Sequence, residues 1–233
     1  MSLEDLGQQD GAASAVKMLG PIGSEPLHVL CVGAHCDDIE IGCAGTLLQI
    51  QQSAPGSTFD WVVLTGNQAR QSETAGAMRS LLKPASRGQL LFGGFPDASL
   101  PGSYGDLKSF FAGLQKLRRP DIIFCHERGD AHQDHRIVNE MVWGAFRDHL
   151  ILEYEIPKWD GGLTTPNSYV PLTAAQMRRK VSVLMKAFGS QRSRDWFTPS
   201  TFEALMRLRG VECRARSGYA EGFFARKLLM FAS

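Results

Sequence analysis

Short apolar runs that alternate with helical stretches are the feature that most restricts the fold of this chain. Runs suited to strands buried on both faces occupy residues 27–34, 59–64 and 121–125, with a shorter run at 89–92. Helical patterns follow them at residues 42–52, 68–82, 107–117 and 137–149. Strands and helices that alternate in this way are typical of βαβ units, which build a parallel sheet. The alternation therefore predicts an α/β protein.

The second half of the chain has the same kinds of element in a weaker pattern. A strand is expected at residues 151–156, and helices are expected at 173–188 and 199–209. Residues 1–25 mix Gly, Ser, Gln and Pro without periodicity, which predicts a flexible N-terminal leader. No repeat, low-complexity tract or linker divides the rest, and 233 residues suit one large domain. We therefore predict a single Rossmann-like domain over residues 26–233, with a mostly parallel sheet flanked by helices.

The composition argues against several classes of protein. The 25 Lys+Arg and 24 Asp+Glu residues leave a net charge of +1, without the basic excess of a nucleic-acid binder. No run approaches the ~18 apolar residues of a transmembrane helix, and the polar N-terminus does not resemble a signal peptide. Five cysteines, an odd number without a CxxC pair, favour a reducing compartment. We expect a cytoplasmic protein with no integral membrane segment and no nucleic-acid partner.

Polar residues cluster where two of the predicted strands end. The first strand is followed by His35-Cys36-Asp37-Asp38-Ile39-Glu40, and the strand at 121–125 is followed by residues 126–136. These two loops hold four of the six histidines together with six acidic residues. Open parallel sheets bind ligands beyond the carboxyl ends of their strands. The fold is therefore expected to bring the two loops together in one site.

Metal binding is the chemistry that these residue types favour. Catalytic zinc takes about three N/O ligands and keeps one position open, and His and Asp are suitable ligands. His35 and Asp38 are three residues apart in one loop, and either His132 or His135 could complete the set. Asp37 would lie beside a ligand, where it could take a proton from water. The alternative is structural: an Asp pair can cap a helix, and two histidines at a helix start can simply be solvated.

Six short motifs, in the right order from about residue 27 to residue 230, resemble one enzyme family. AHCDDIEIGCAGT from Ala34 resembles the AHPDDxExGxGGT signature of the PIG-L/LmbE superfamily of zinc-dependent N-acetylglucosaminyl deacetylases. GDAHQDHR from Gly129 is similar to the second signature of that superfamily, GDxHxDHR. RQSE from Arg70, FPD from Phe95, SQ from Ser190 and YAEGFF from Tyr219 resemble its smaller motifs.

The resemblance implies a role for each matching residue. It makes His35, Asp38 and His135 the ligands of Zn²⁺, although two histidines and an aspartate also suit Fe²⁺, Co²⁺ or Mn²⁺. It makes Asp37 the general base, and a protonated His132 the partner of the oxyanion and possible proton donor to the leaving amine. Asp134 would orient a histidine.

Substrate contacts are expected from three further residues. Arg70 and Asp97 match positions that contact sugar hydroxyls in the family. Trp159 lies in an acidic and aromatic stretch at 152–162 that could form a pocket rim, and its indole could stack on a sugar face. The alternative for Trp159 is an ordinary core or surface aromatic.

The expected function is hydrolysis of the N-acetyl group of an N-acetylglucosamine-type sugar conjugate, a small molecule, by a possible homo-oligomer. Two alternatives stay open: an amidase acting on a thiol-sugar or other amide conjugate, and a non-catalytic carbohydrate-binding relative. A nucleotide-binding protein is weakly supported, because the loop after the first strand lacks GxGxxG. Cys36 replaces the usual proline of the first signature. Its thiol could be an extra metal ligand, but we expect it to point away and pack.

Overall fold

Seven strands form one sheet in the computed structural model, which describes residues 25–228. The strands are β1 (His28–Gly33), β2 (Thr58–Thr65), β3 (Arg87–Phe95), β4 (Ile122–His126), β5 (Leu150–Tyr154), β6 (Ser168–Leu172) and β7 (Tyr219–Ala225). Their order in the sheet is β3-β2-β1-β4-β5-β7-β6. β1 to β5 pair in parallel, whereas β7 runs antiparallel to both β5 and β6. The expected leader lies outside the described residues, apart from Glu25.

Within residues 25–228, six α-helices cover the two faces of the sheet. They are α1 (Asp38–Ser53), α2 (Gln68–Leu81), α3 (Tyr104–Leu114), α4 (Gln133–Ala145), α5 (Ala174–Ala187) and α6 (Pro199–Glu212). Side chains of α1, α2, α5 and α6 pack in one apolar core, and side chains of α3 and α4 pack in a second. β1 supplies Val29 and Cys31 to the first core and Leu30 and Val32 to the second. Burial on both faces explains why its sequence is a continuous apolar run. The predicted fold class is confirmed.

The position of a ligand site follows from the strand order. The chain leaves β1 to form β2 and β3 on one side, and returns to form β4 on the other side of β1. The loops after β1 and β4 therefore diverge and leave a crevice at their carboxyl ends, which is the usual ligand position in such sheets.

Three helices, α1, α3 and α4, begin three or four residues earlier than predicted. For α1 and α4 the difference matters, because it places site residues on helices. α1 starts at Asp38 instead of residue 42, since Asp37 makes the tight turn with a φ of 113° and the helix begins at once. α4 spans Gln133–Ala145 instead of 137–149, because the His132 ring caps its first turn. The chain then leaves the helix to enter β5. Among residues 25–228, every helix is too short or too polar to cross a lipid bilayer.

Candidate active site

The site lies at the carboxyl ends of β1 and β4. After β1 the chain turns through His35–Asp37, and the His35 amide donates a hydrogen bond to Asp38 Oδ2 at 2.7 Å. After β4 a loop leads to His132, which caps α4, so His135 lies in the first turn of that helix. The two loops that the sequence predicted to meet therefore do meet.

Three potential metal-donor atoms converge between these loops. His35 Nδ1 lies 3.3 Å from Asp38 Oδ2 and 3.2 Å from His135 Nε2, and the last two atoms are 3.5 Å apart. Tetrahedral zinc with bonds of about 2.0–2.2 Å holds its ligand atoms about 3.3–3.6 Å apart. The spacing of the three atoms therefore fits a divalent ion without movement of the backbone.

Hydrogen bonds on the outer side of each ring direct the inner nitrogen towards this point. His135 Nδ1 lies 2.8 Å from Asp130 Oδ2, which leaves the Nε2 lone pair free. His35 Nε2 lies 3.3 Å from both Asp134 Oδ2 and Asp97 Oδ1, which leaves Nδ1 as the inner atom. Electron-rich atoms that face one another at these distances need a cation or a proton between them.

The pKa values of His35, Asp38 and His135 are also consistent with a cation between these three side chains. Burial lowers the pKa of His35, but the Asp38 carboxylate and the bonds to Asp134 and Asp97 more than offset this and raise it well above 6.5. Burial raises the pKa of Asp38, yet the surrounding histidines, with His135 first, hold it well below its usual value. Burial and the adjacent His126 lower the pKa of His135 to about 3, so its ring is a neutral donor.

Asp37 is a buried carboxylate beside this donor set. It is 5% exposed, and its Oδ1 lies 3.3 Å from Arg70 Nη2. The same guanidinium donates a hydrogen bond to the Cys36 carbonyl at 2.5 Å. Burial and the neighbouring Asp38 raise the pKa of Asp37 to about 7, although Arg70 opposes the shift. A carboxylate with this pKa suits a general base at neutral pH.

The ring of His132 caps α4, and this cap determines which ring nitrogen is free to donate. Its Nδ1 accepts a hydrogen bond from the Asp134 amide at 3.2 Å, so the ring hydrogen is on Nε2. Burial and the nearby Lys158 lower its pKa below 6.5. The ring can therefore donate through Nε2–H in this geometry, and the protonated His132 expected from the sequence stays a prediction.

The remaining predicted residues surround the same centre. Asp134 is fully buried, and its Oδ1 accepts from the Leu100 amide at 3.1 Å while Oδ2 faces His35. Asp97 has a 58% exposed side chain that reaches the site. Trp159 is 61% exposed at the rim, where its indole N–H donates to Asp195 at 2.7 Å.

A cavity of about 360 Å³ opens above the donor set. Its inner part is lined by the buried Asp37 and the half-buried His132 and Lys158, and its outer part by the exposed Trp159 and Arg194. Its size suits a sugar-sized ligand.

Sequence reasoning missed three residues of the site. Asp130 orients His135, His126 touches Asp38, and Lys158 reaches the ring of His135. Asp130 and His126 belong to the loop that the sequence singled out, but no spacing rule separates an orienting group from a solvated one. His126 Nε2 accepts a hydrogen bond from the Ala34 amide at 2.9 Å, so its lone pair is not available to coordinate a metal ion.

Cys36 points away from the donor set, as expected. Its thiol is fully buried and contacts the Thr65 carbonyl at 3.5 Å. Burial raises its pKa to about 11, which disfavours the thiolate that zinc would bind.

Comparison with known proteins agrees with this geometry. Residues 30–146 match the sequence profile of PIG-L, described as GlcNAc-PI de-N-acetylase. The chain belongs to the PIG-L family. A relative, the uncharacterized deacetylase YaiS of Escherichia coli K12, is 30% identical over 138 residues, which cover 55% of this chain and 74% of YaiS.

Solved structures share the fold over most of the chain. The conserved protein TT1542 from Thermus thermophilus has a TM-score of 0.70 at 22% identity, over 88% of this chain and 97% of its own. The N,N'-diacetylchitobiose deacetylase from Pyrococcus horikoshii has a TM-score of 0.63 at 20% identity, over 84% and 82% of the two chains. At these identities the likeness concerns the fold.

Proposed function

We propose that this PIG-L protein is a metal-dependent hydrolase that removes the N-acetyl group from an N-acetylglucosamine-type sugar conjugate. The observation that carries the proposal is the set of three donor atoms, 3.2–3.5 Å apart, beside the buried carboxylate of Asp37. The de-N-acetylase description of the family and the activity named for the Pyrococcus relative support the same reaction.

His35, Asp38 and His135 would hold the metal ion. Two imidazoles and one carboxylate are a donor set that zinc accepts, and Fe²⁺, Co²⁺ or Mn²⁺ also suits it. When bound, such an ion polarises a water molecule and lowers its pKa towards about 7. Asp130 and Asp134 would keep the two histidines in the required tautomer.

The chain's own residues would then move the proton and stabilise charge. Asp37 accepts a proton from the attacking water, and Arg70 holds Asp37 and the Cys36 carbonyl in place. The His132 Nε2–H donates to the acyl oxygen as negative charge develops there. Asp37 passes its proton to the leaving nitrogen when the C–N bond breaks, which releases acetate and a primary amine.

Substrate binding would use the walls of the cavity. Arg70 and Asp97 can bond sugar hydroxyls from two sides of the donor set. Trp159 is 61% exposed, so a sugar ring can stack on its indole. The substrate is therefore proposed to be a small sugar conjugate whose N-acetyl group enters the inner part of the cavity.

The test is release of primary amine from a panel of N-acetylglucosamine derivatives by the zinc-loaded protein. The panel includes the free sugar, its 1-phosphate, a nucleotide sugar, a malate glycoside and a chitin disaccharide. Wild type should release amine from at least one of them, whereas Asp37→Asn should lose at least ~10²-fold in kcat and keep its metal. Asp106→Asn, on the exposed side of α3, is the matched control.

A second variant separates metal binding from base catalysis. His135→Ala should lose the metal as well as the activity, measured by elemental analysis after gel filtration. Metal loss in Asp37→Asn, or full metal retention in His135→Ala, would reverse the proposed roles. No amine from wild type at one metal per chain would reject the deacetylase proposal.

A further inference from the structure

Lys158 is a cationic group in the cavity that the roles above leave unused. It follows β5 in the segment that leads to β6, and it lines the inner part of the cavity with Asp37 and His132. Its side chain is only 13% exposed. A lysine is seldom buried to this extent unless an anion accompanies it.

The surroundings of Lys158 supply one ion pair, with Asp160, but no hydrogen-bonded anion. Its Nζ lies 3.4 Å from both Nδ1 and Nε2 of His135. His135 Nδ1 already faces Asp130, and Nε2 belongs to the donor set, so the ring cannot neutralise the ammonium. Among residues 25–228, the nearest carboxylate oxygen is Asp160 Oδ2 at 3.8 Å, beyond hydrogen-bond distance.

A bound substrate or product is therefore the expected source of a hydrogen-bonded anion for the Lys158 ammonium. It lies against the ring of a proposed ligand, and its charge reaches both Asp37 and His132. In amide hydrolysis, negative charge develops on the acyl oxygen at this place, and the product is a carboxylate. Charge-assisted hydrogen bonds to such an oxygen are about twice as strong as neutral ones.

We propose that Lys158 is a catalytic residue that stabilises the acyl oxygen during deacetylation and then holds the acetate product. The proposal rests on the hydrolase function proposed above. As the water oxygen bonds to the carbonyl carbon, its proton goes to Asp37 and the C=O electron pair moves onto the oxygen. Lys158 donates a hydrogen bond to that oxygen and keeps its own proton. The electron pair on the oxygen re-forms the C=O bond as the C–N bond breaks, and the nitrogen takes the proton from Asp37.

The first test compares Lys158→Met and Lys158→Arg with wild type on the best substrate of the panel. Loss of one donor to an oxyanion commonly lowers kcat by about 10²–10³-fold. Lys158→Met should show that loss with KM within about threefold and one metal per chain, and Lys158→Arg should recover part of kcat. Lys116→Met changes an exposed lysine in the turn that follows α3, and is the matched control. Unchanged kcat, or metal loss in Lys158→Met, would overturn the proposal.

A second test does not depend on turnover. Acetate is titrated into the zinc-loaded protein and its affinity is measured by calorimetry. Lys158→Met should bind acetate at least ~10-fold more weakly than wild type and Lys116→Met. Equal affinities would refute the role of Lys158 even if the enzyme deacetylates sugars. A wild type that releases no amine, but whose acetate affinity depends on Lys158, would reject the proposed substrate and retain the anion-binding lysine.

Discussion

A single buried imidazole, His126, touches all three segments that carry the proposed metal ligands. Its Nε2 accepts the amide of Ala34, which precedes His35, and lies 3.1 Å from Asp38 Oδ2. Its ring stacks on His135 with a centroid distance of 3.7 Å. Loss of such a supporting group commonly costs 10–100-fold in metal affinity. His126→Phe, which keeps the stacked ring and loses the nitrogen, should weaken Zn²⁺ binding by about that factor in a competitive chelator titration.

Two companion variants decide whether the effect of His126 is specific. His126→Gln keeps a hydrogen-bond acceptor near the same position and should retain most of the affinity. His149→Phe makes the same change at another buried histidine, which lies beside the start of β5, far from the donor set. An equal loss of affinity in His149→Phe would mean that general destabilisation explains the result.

His149 itself predicts a pH dependence of stability. Burial and Arg119 lower its pKa below the usual 6.5, although Asp148 offsets part of the shift. The unfolded chain therefore binds the proton more readily, so stability present above about pH 6.5 is lost as the pH falls. His149→Phe removes this titration. Its unfolding free energy in urea should fall less than that of wild type between about pH 7.5 and about pH 5.5. His28, whose pKa is also lowered, stays in both proteins, and equal falls would contradict the prediction.

The sequence predicts which residues form this site better than it predicts their hydrogen bonds and distances. The two motifs point to His35, Asp37, Asp38, His132 and His135 because residue type and spacing are visible in the chain. The nitrogen of His132 that is free to donate is not visible, since it depends on a backbone amide that only the helix cap brings to Nδ1. Lys158 lies in the 152–162 stretch expected at the pocket rim, but that stretch does not reveal that its Nζ lies 3.4 Å from the His135 ring.

At the scale of elements, packing between α1 and β5 fixes where Asp38 can lie. Gly42 of α1 lies against the fully buried ring of Tyr154, and a Cβ at this position would overlap that ring. Gly42→Ala should therefore lower the unfolding free energy by about 2 kcal/mol, as overpacked cores do. It should also weaken metal binding, because α1 must shift and Asp38 is its first residue. Urea unfolding and chelator titration measure the two effects.

The matched control is Gly76→Ala in α2. No heavy atom lies closer than 4.0 Å to a Cβ at Gly76, so this substitution removes a flexible residue without a clash. It should leave metal binding unchanged and stabilise the protein by about 0.5–1 kcal/mol. A Gly42→Ala protein as stable as Gly76→Ala would show that α1 does not depend on this contact.

The elements that sequence reasoning found are those whose burial leaves a clear pattern. β1, β2 and β4 are covered on both faces and read as continuous apolar runs. β6 is partly exposed and contains Pro171, so it has neither that pattern nor strict alternation. β7 contains the buried Glu221, whose place in a strand depends on a partner in α5. Single-sequence patterns do not encode such long-range partners.

At the scale of the whole molecule, the carboxylate of Glu221 joins the two halves of the chain. It accepts hydrogen bonds from the Gly45 amide at 2.8 Å and from the Thr46 amide and hydroxyl at 2.6 Å each. Lys180 of α5 donates to it at 2.6 Å and also to the Ile41 carbonyl. One buried ion pair thus connects α1, inside the region matched by the PIG-L profile, to α5 and β7, which lie beyond it.

This connection predicts that the two halves unfold together. Glu221→Gln leaves Lys180 buried without its counter-charge, which should lower the unfolding free energy by about 3–5 kcal/mol. Asp148→Asn, which removes the exposed partner of Arg119, should cost less than about 1 kcal/mol. Both values come from urea titrations followed by circular dichroism and tryptophan fluorescence.

The double variant Glu221→Gln/Lys180→Met decides between a specific pair and a generally sensitive core. Because the second change removes the unpaired charge, the double variant should lose less stability than the sum of the single variants. The two spectroscopic probes should give one coincident transition in wild type. Additive losses would mean that the two side chains do not act as a pair. Separate transitions would mean that residues 30–146 fold without β6 and β7, and that the metal donors do not need the second half of the sheet.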